Sequence, residues 1–306
     1  MSTTPPKKPT VSQEKKGIYD LAQMKETGEK IAMITAYDYP SGRLADQAGV
    51  DIVLVGDSAA MTVLGHESTV PITLDEMITL TAATIRGALR PMVIADLPFG
   101  SYQTSDETAV KSAIRMVKET GADMVKIEGA GATVSRVSAI VEAGVAVCAH
   151  LGLTPQSATL LGGYRAQSRS AEEALRTVRD ARELEAAGAS LIVLEAIPSI
   201  VAKRITESLS IPTIGIGAGP DCDGQVLVYH DALGLTEGMR PRFVRQYAQI
   251  GTDTKKALSN YTSEVKSGAY PKPEHEYTMP EKESEQFQAT ERLSHSPKPY
   301  TKTKNR

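Results

Sequence analysis

Six ionisable side chains stand at the ends of apolar runs in this sequence, and their types suit acid–base and metal chemistry. Each one closes or directly follows a run of aliphatic residues: Asp57, Asp96, Lys126, Glu128, His150 and Glu195. Any one of them alone is more simply explained as a solvated strand end or a helix cap. Six such residues from five runs strain that explanation. We therefore expect a shared site, built where strands deliver their carboxyl ends to one face.

Asp57 and Asp96 are the predicted metal ligands. Two aspartates that face each other repel unless a cation lies between them, and hard oxygen ligands without cysteine or paired histidine suit Mg2+ better than Zn2+. A Mg2+ ion with so few protein ligands keeps positions for water and for a chelating substrate, such as a 2-oxo acid. Chelation makes the neighbouring carbon acidic, because the metal stabilises the enolate as it forms.

The other four residues are candidates for substrate contacts and proton transfer. Lys126 and Glu128 are two apart on one strand and share a face, so Lys126 could bind a substrate carboxylate and Glu128 could orient metal-bound water or a cofactor group. A plain surface salt bridge is the alternative for this pair. His150 is either a hydrogen-bonding partner of substrate or a satisfied core histidine. Glu195 follows four aliphatic residues, whose partial desolvation of its carboxylate suits a general base.

Parallel strands are needed to bring these residues together, and the sequence alternates strand and helix patterns. The run 51–56 is typical, because it is continuously aliphatic, as in a strand covered on both faces, and ends at Gly56. Helical patterns with Ser, Thr or Asp caps and terminal glycines separate most of the runs. This alternation predicts an α/β protein, a (β/α)8 TIM barrel with a parallel eight-stranded core, and an open doubly wound sheet is the alternative. The predicted strands are 30–37, 51–56, 90–96, 122–128, 145–150, 190–195, 211–217 and 225–229.

The predicted domain organisation is a single catalytic domain over 17–277, between a flexible leader (1–16) and a disordered polar tail (278–306). A short helix over 18–26 is expected to close one end of the fold. A long helix over 241–265 is expected to close the domain.

Composition limits the class of function. The 306 residues include 41 % hydrophobic and 23 % charged residues, and a formal net charge of -3 argues against binding to nucleic acid or to a membrane surface. The two cysteines, Cys148 and Cys222, are too few for a disulfide framework and fit a reducing compartment. The leader has neither an apolar h-region nor arginine, so the cytoplasm is the expected location, with an organelle left open.

Two weaker features carry no firm assignment. Gly215, Gly217 and Gly219 resemble a glycine-rich phosphate loop without the dinucleotide fingerprint, and a glycine-lined path for close approach of substrate is an equally good interpretation. The remaining histidines lack the spacing of metal ligands and receive no role: His66, His230, His275 and His295.

The sequence around the six residues resembles the ketopantoate hydroxymethyltransferase family over about residues 18 to 277. This resemblance implies a (β/α)8 enzyme that transfers a one-carbon unit from 5,10-methylenetetrahydrofolate to 3-methyl-2-oxobutanoate with Mg2+, in pantothenate and coenzyme A biosynthesis. It also implies a homo-oligomer, typically a decamer. The matching blocks are 35–38, 55–58, 95–102, 125–129, 149–156, 194–198 and 215–219.

The same resemblance implies a role for each matching residue. The implied roles are metal ligation by Asp57 and Asp96, indirect support of the metal by Glu128, binding of the substrate carboxylate by Ser58 and Lys126, substrate contact by His150, and base catalysis by Glu195.

The chain departs from the family pattern in two places. Ser168 and Ser170 stand where the family commonly has the glycines of a Gln-Gly-Arg-Gly loop, so we expect a stiffer loop near the folate entrance. The family tends to finish near Glu274 and His275, whereas this chain continues for about thirty polar residues.

Two other functions fit the same residues less well. A related Mg2+-dependent lyase or mutase of 2-oxo acids usually needs an acid or nucleophile on a lid loop, often a cysteine, and neither Cys148 nor Cys222 has that context. A non-catalytic metabolite-binding barrel would be favoured by loss of Asp57, Asp96 or Glu195, and all three are present.

Overall fold

The computed structural model describes residues 14–236, 238 and 241–294, and its main feature is a closed barrel of eight parallel strands. Strands that are consecutive in sequence pair with each other, and the last pairs with the first. Closure confirms the predicted (β/α)8 class and excludes the open sheet. The strands are β1 (Ile31–Thr35), β2 (Ile52–Val55), β3 (Met92–Asp96), β4 (Met124–Glu128), β5 (Val147–Gly152), β6 (Leu191–Glu195), β7 (Thr213–Ile216) and β8 (Gly224–Leu227).

Helices pack around the barrel in the part of the chain up to Gly251, and three of them begin at the expected capping residues. Thr73, Ser105 and Ser170 each accept a hydrogen bond from the backbone N–H three residues later, at the start of a helix. The α-helices are α1 (Ile18–Thr27), α2 (Tyr39–Ala48), α3 (Ala59–Thr62), α4 (Leu74–Gly87), α5 (Asp106–Thr120), α6 (Ala132–Glu142), α7 (Ala171–Ala186), α8 (Ser199–Ser208), α9 (Tyr229–Leu233), α10 (Ile250–Ser267) and α11 (Glu281–Ser294). No helix of the described ranges is both long enough and apolar enough to cross a membrane.

The inward-facing side chains of the strands are apolar through the barrel interior and become charged at the carboxyl end. Ile94 and Met124 belong to the interior cluster, and two residues further along their strands the same face presents Asp96 and Lys126. At the opposite end, Leu21 and Met24 of α1 join this cluster, so the N-terminal helix packs onto the barrel interior as predicted. The alternation of side chains therefore aims the predicted site residues at one mouth of the barrel.

The C-terminal part of the chain differs from the sequence prediction. The helix predicted over 241–265 begins only at Ile250, because the preceding backbone makes other contacts: the Tyr247 N–H donates to the Ala232 carbonyl of α9. Residues up to Gly251 form one compact unit and those from Thr252 form another. Helix α10, most of which belongs to the second unit, buries none of its side chains, and α11 is helical in a stretch whose polarity predicts disorder. The helix α11 forms because this stretch is rich in Glu, with Gln and Lys, and these residues have high helix propensity. Residues 295–306 of the predicted tail lie outside the described residues.

Candidate active site

Strands β2 to β6 bring all six predicted residues to the carboxyl end of the barrel. Residues at the ends of neighbouring strands are paired in register: Asp96 with Lys126, Glu128 with His150, and Gly152 with Glu195. Asp57 follows β2 directly after Gly56. The structure therefore places these residues as one connected group.

The first half of the group joins two aspartates to a lysine. The backbone N–H of Asp57 donates to Asp96 Oδ2 at 3.0 Å, and Lys126 Nζ donates to Asp96 Oδ1 at 2.8 Å. Lys126 Nζ also lies 3.5 Å from Glu128 Oε1. All four side chains are buried, so the solvent-exposed salt bridge considered for Lys126 and Glu128 is replaced by a buried network.

The second half is a chain of two carboxylates with an imidazole between them. His150 Nδ1 lies 3.1 Å from Glu128 Oε1, and His150 Nε2 lies 3.3 Å from Glu195 Oε2, in an orientation that falls short of a hydrogen bond. The Glu128 side chain is 2 % exposed and that of Glu195 is 17 % exposed. Glu195 is thus the carboxylate that a molecule entering the mouth can reach.

Burial and mutual charge shift the pKa values of these groups in different directions. Burial, together with the negative charges of Asp96 and Glu128, raises the pKa of Asp57 well above its usual range. Burial alone would lower the pKa of Lys126, but Asp96, Glu128 and Asp57 raise it well above its usual range. Burial opposes ionisation of Glu128 as well, yet Lys126 and His150 lower its pKa overall. Asp57 is therefore the carboxyl group of this network whose ionisation the surroundings oppose.

This charge balance and the donor types fit a divalent oxygen-loving cation. Three buried carboxyl groups face one ammonium and one imidazole. Burial, together with the negative charges of Asp96 and Glu128, raises the pKa of Asp57, and a bound cation would offset this effect. Among the described residues, no three or more His, Cys, Asp or Glu side chains form a metal-binding group by themselves. Two aspartate carboxylates suit Mg2+, which usually binds one or two carboxylates and keeps several waters. Glu128 is already engaged by Lys126, His150 and the Gln156 backbone, which fits an indirect role.

Ser58 lies beside this group, and its hydroxyl is hydrogen-bonded to Tyr37, which lies in the loop after β1. Its Oγ is 2.9 Å from the Tyr37 hydroxyl. Burial raises the pKa of Tyr37 to about 12, so the phenol stays neutral. A Cβ at Gly56 would lie 2.8 Å from Ser58 Oγ, so only glycine leaves room for the serine in this conformation.

Sequence reasoning missed Gln156 and Tyr102, which tie the two halves together. Gln156 Nε2 donates to Asp57 Oδ2 at 2.8 Å, and Tyr102 donates from its hydroxyl to Gln156 Oε1 at 2.7 Å. Both residues lie inside blocks that match the family. A search restricted to ionisable strand-end residues could not find them, because one is a neutral amide in a turn and the other lies in the loop after β3.

The glycine-rich loop after β7 has a packing explanation. A Cβ at Gly217 would lie 2.5 Å from the Phe243 ring, and a Cβ at Gly219 would lie 2.4 Å from Ser199 Cβ. These glycines therefore permit close approach of neighbouring side chains.

The closed parallel barrel with ionisable residues at the carboxyl ends of its strands defines a TIM-barrel enzyme, with a buried acidic site suited to a small substrate. A family model described as ketopantoate hydroxymethyltransferase matches residues 15–273. The chain belongs to the ketopantoate hydroxymethyltransferase family.

Curated relatives agree with the family match. The chain is 57 % identical over 257 residues to the 3-methyl-2-oxobutanoate hydroxymethyltransferase of Moorella thermoacetica, covering 84 % of this chain and 96 % of that protein. It is 50 % identical over 262 residues to the enzyme of the same name from Carboxydothermus hydrogenoformans, covering 86 % of this chain and 95 % of that one.

Solved structures share the fold at low identity. A phosphonopyruvate hydrolase, solved in complex with oxalate and Mg2+, superposes with a TM-score of 0.56 at 14 % identity, covering 91 % of this chain and 97 % of that one. A 2,3-dimethylmalate lyase of the PEP mutase/isocitrate lyase superfamily gives a TM-score of 0.53 at 15 % identity, covering 94 % of this chain and 99 % of that one. At these identities the likeness establishes the fold.

Proposed function

We propose that the acidic mouth of the barrel carries out hydroxymethyl transfer with Glu195 as the base that removes the C3 proton of 3-methyl-2-oxobutanoate. The activity itself follows from family membership: the protein is an enzyme of pantothenate biosynthesis that forms 2-dehydropantoate (ketopantoate) from 3-methyl-2-oxobutanoate. The family also implies 5,10-methylenetetrahydrofolate as co-substrate and Mg2+ as cofactor. The observation that carries the assignment of Glu195 is its partly exposed carboxylate at the end of β6, beside the buried group.

Asp57 and Asp96 are the proposed Mg2+ ligands, with Glu128 supporting them indirectly. When bound, Mg2+ would polarise the ketone and carboxylate of a chelated 2-oxo acid, which acidifies the C3 proton. Ser58 Oγ and Lys126 Nζ are the proposed partners of the substrate carboxylate. Lys126 also neutralises part of the negative charge around Asp96, to which it donates at 2.8 Å.

His150 and Glu195 form the proposed proton-transfer end of the site. The His150 imidazole lies between Glu128 and Glu195, with Nδ1 3.1 Å from Glu128 Oε1 and Nε2 3.3 Å from Glu195 Oε2. The carbanion at C3 would then form the new carbon–carbon bond with the methylene carbon that the folate donates. Both C–N bonds from that carbon to the folate would break, water would supply the hydroxyl oxygen, and tetrahydrofolate would leave with the released protons. Homo-oligomeric assembly, a decamer in particular, and a cytoplasmic location belong to the same proposal.

The lyase or mutase chemistry of the fold neighbours receives no support from the cysteines. Burial raises the pKa of Cys148 to about 12, which disfavours the thiolate needed for attack. Cys222 is buried as well, and burial raises its pKa.

Exchange of the C3 proton of 3-methyl-2-oxobutanoate with D2O, followed by NMR without folate, tests the first half-reaction. We expect wild type with Mg2+ to exchange this proton. The exchange rate of Glu195→Gln should be lower by about 100-fold or more, since a positioned base typically contributes about 10²–10⁴-fold to the rate. The matched control is Glu185→Gln, because Glu185 caps residues 210 and 211 and is not part of the mouth. Full exchange by Glu195→Gln would assign the base elsewhere.

A further inference from the structure

The side chain of Gln156 uses every one of its hydrogen-bonding directions inside the candidate site. It lies in the 3-10 turn after β5 and is 5 % exposed. Its Nε2 donates to Asp57 Oδ2 at 2.8 Å and to the Leu97 carbonyl at 3.0 Å. Its Oε1 accepts from the Tyr102 hydroxyl at 2.7 Å and from Gln103 Nε2 at 3.1 Å. A buried amide with all partners satisfied is held in a single orientation.

The neighbours of Gln156 determine which end of the amide faces the carboxylate. The Leu97 carbonyl can only accept, so it selects the NH2 end of the amide on the Asp57 side. On the other side, Gln103 is itself fixed, because its Oε1 accepts from the Gly100 N–H at 2.7 Å and leaves Nε2 to face Gln156. The Leu97 carbonyl and Gln103, which are not part of the charged cluster, therefore determine that the NH2 group of Gln156 faces Asp57.

A neutral donor has a specific advantage at Asp57. Lys126 already supplies one positive charge to the site through Asp96, and an amide fixes the Asp57 carboxylate without adding a second. Lys126, the nearby ammonium, is directed to Asp96 and Glu128 instead. The Asp57 charge thus remains available for a metal.

The same residue also reaches the second carboxylate. The Gln156 backbone N–H donates to Glu128 Oε2 at 3.1 Å, and the Glu128 N–H donates to the Tyr102 hydroxyl at 3.0 Å. The turn after β5 and the loop after β3 therefore fix the positions of Asp57 and Glu128 relative to each other.

We infer that Gln156 is a positioning residue that presents Asp57 to the divalent cation, with Tyr102 fixing its amide. This inference rests on the metal site proposed at Asp57 and Asp96.

Binding of Mn2+, used as an EPR-visible substitute for Mg2+, tests the inference without any turnover. Loss of a group that orients a metal ligand typically weakens metal affinity about 10–100-fold, and we expect a loss in this range for Gln156→Leu. We expect a smaller loss for Tyr102→Phe, which keeps the amide but removes a donor that orients it. Since the defect is in affinity, excess Mg2+ should restore part of the C3 proton exchange in both variants.

Controls separate this inference from the proposed function. Gln225→Leu removes an exposed amide that donates to the Gly219 carbonyl, and it should bind Mn2+ like wild type. Asp96→Asn should lose Mn2+, and retained binding by that variant, or no binding by wild type, would overturn the metal site and the inference with it. If Asp96→Asn loses Mn2+ while folded Gln156→Leu or Tyr102→Phe binds it as tightly as wild type, the metal site stands and the positioning role is wrong. Circular dichroism verifies folding of each variant, and Tyr102→Phe provides the test if Gln156→Leu does not fold.

Discussion

At the scale of the residue, His150 shows how a buried group acquires charge from its neighbours. Burial alone would lower its pKa, but Glu128 at 3.1 Å and Glu195 at 3.3 Å outweigh burial and the repulsion of Lys126, and together they raise the pKa to about 9. The imidazole is therefore a cation at neutral pH. In that form both ring nitrogens carry protons and face carboxylates.

The raised pKa of His150 predicts a pH-dependent stability for the metal-free protein. The folded state holds the His150 proton more tightly than the unfolded state, whose pKa is about 6.5, so the stabilisation is fully present below that pH and is lost as pH rises through about 9. This difference between the folded and unfolded pKa of His150 corresponds to a contribution of roughly 3 kcal/mol at most to the free energy of unfolding. Urea unfolding in EDTA from about pH 6 to about pH 10 measures it.

The matched variant His150→Gln isolates this contribution from other titrating groups. We expect its free energy of unfolding to decline less over the same pH range than that of wild type. Parallel pH profiles for the two proteins would show that His150 is not held as a cation in the folded state.

At the scale of the element, the junction of β5 and β6 sets the position of the proposed base. Gly152 has φ = +96°, and a Cβ there would lie 2.2 Å from the Glu195 carbonyl oxygen. The next residue after Glu195, Ala196, has φ = +48°, a left-handed conformation unusual for a residue with a side chain. The two strands therefore approach each other through a glycine and a strained turn immediately beside the carboxylate.

Gly152→Ala is expected to damage both stability and catalysis. The left-handed conformation costs an alanine about 1–2 kcal/mol, and the clash with the Glu195 carbonyl adds to that and displaces the base. The control is Gly144→Ala, where φ is +87° but no atom lies within 4 Å of the added Cβ. Urea unfolding and C3 proton exchange should both show a larger loss for Gly152→Ala, and equal losses would mean that the clash relaxes freely.

The two serines that depart from the family pattern have distinct structural roles around the start of α7. Ser170 is the N-cap of that helix, and its Oγ accepts from the Glu173 N–H at 3.2 Å. The Glu173 carboxylate in turn accepts from the Ser170 N–H at 3.1 Å. Ser168 takes a left-handed conformation with φ = +57° and its Oγ lies 2.7 Å from Thr177 Oγ1. The chain thus keeps at residue 168 the backbone conformation that suits glycine, and a side-chain hydrogen bond accompanies it.

Substitutions at Ser170 should separate capping from flexibility. Ser170→Ala is expected to lose about 1 kcal/mol of stability and Ser170→Gly only a few tenths, because glycine is tolerated at an N-cap and alanine is not. Thermal and urea unfolding measure both. A larger loss for Ser170→Gly than for Ser170→Ala would contradict the capping role.

At the scale of the whole molecule, the barrel closes without the C-terminal tail. The β1–β8 pairing and both hydrophobic clusters involve residues before 252. The described side chains of 278–292 are exposed or partly exposed.

Removal of residues 278–306 should leave the barrel and its chemistry intact. We expect the free energy of unfolding to change by no more than about 0.5 kcal/mol, as for changes away from buried features, with unaltered C3 proton exchange. The full-length protein is the control in both measurements. A loss beyond about 1 kcal/mol, or loss of exchange, would show that the tail belongs to the catalytic unit.

The sequence by itself determined the architecture and most of the candidate site. Eight aliphatic runs separated by helical patterns imply a parallel barrel, and residues such as Asp96 and Glu195, which end those runs, must meet at one mouth because parallel strands share a direction. Tertiary structure alone decided the rest. Gln156 and Tyr102 are neutral residues in a turn and a loop, and the later start of the helix at Ile250 depends on contacts with α9. Hydrogen bonds of this kind join residues distant in sequence, so no local pattern of side chains encodes them.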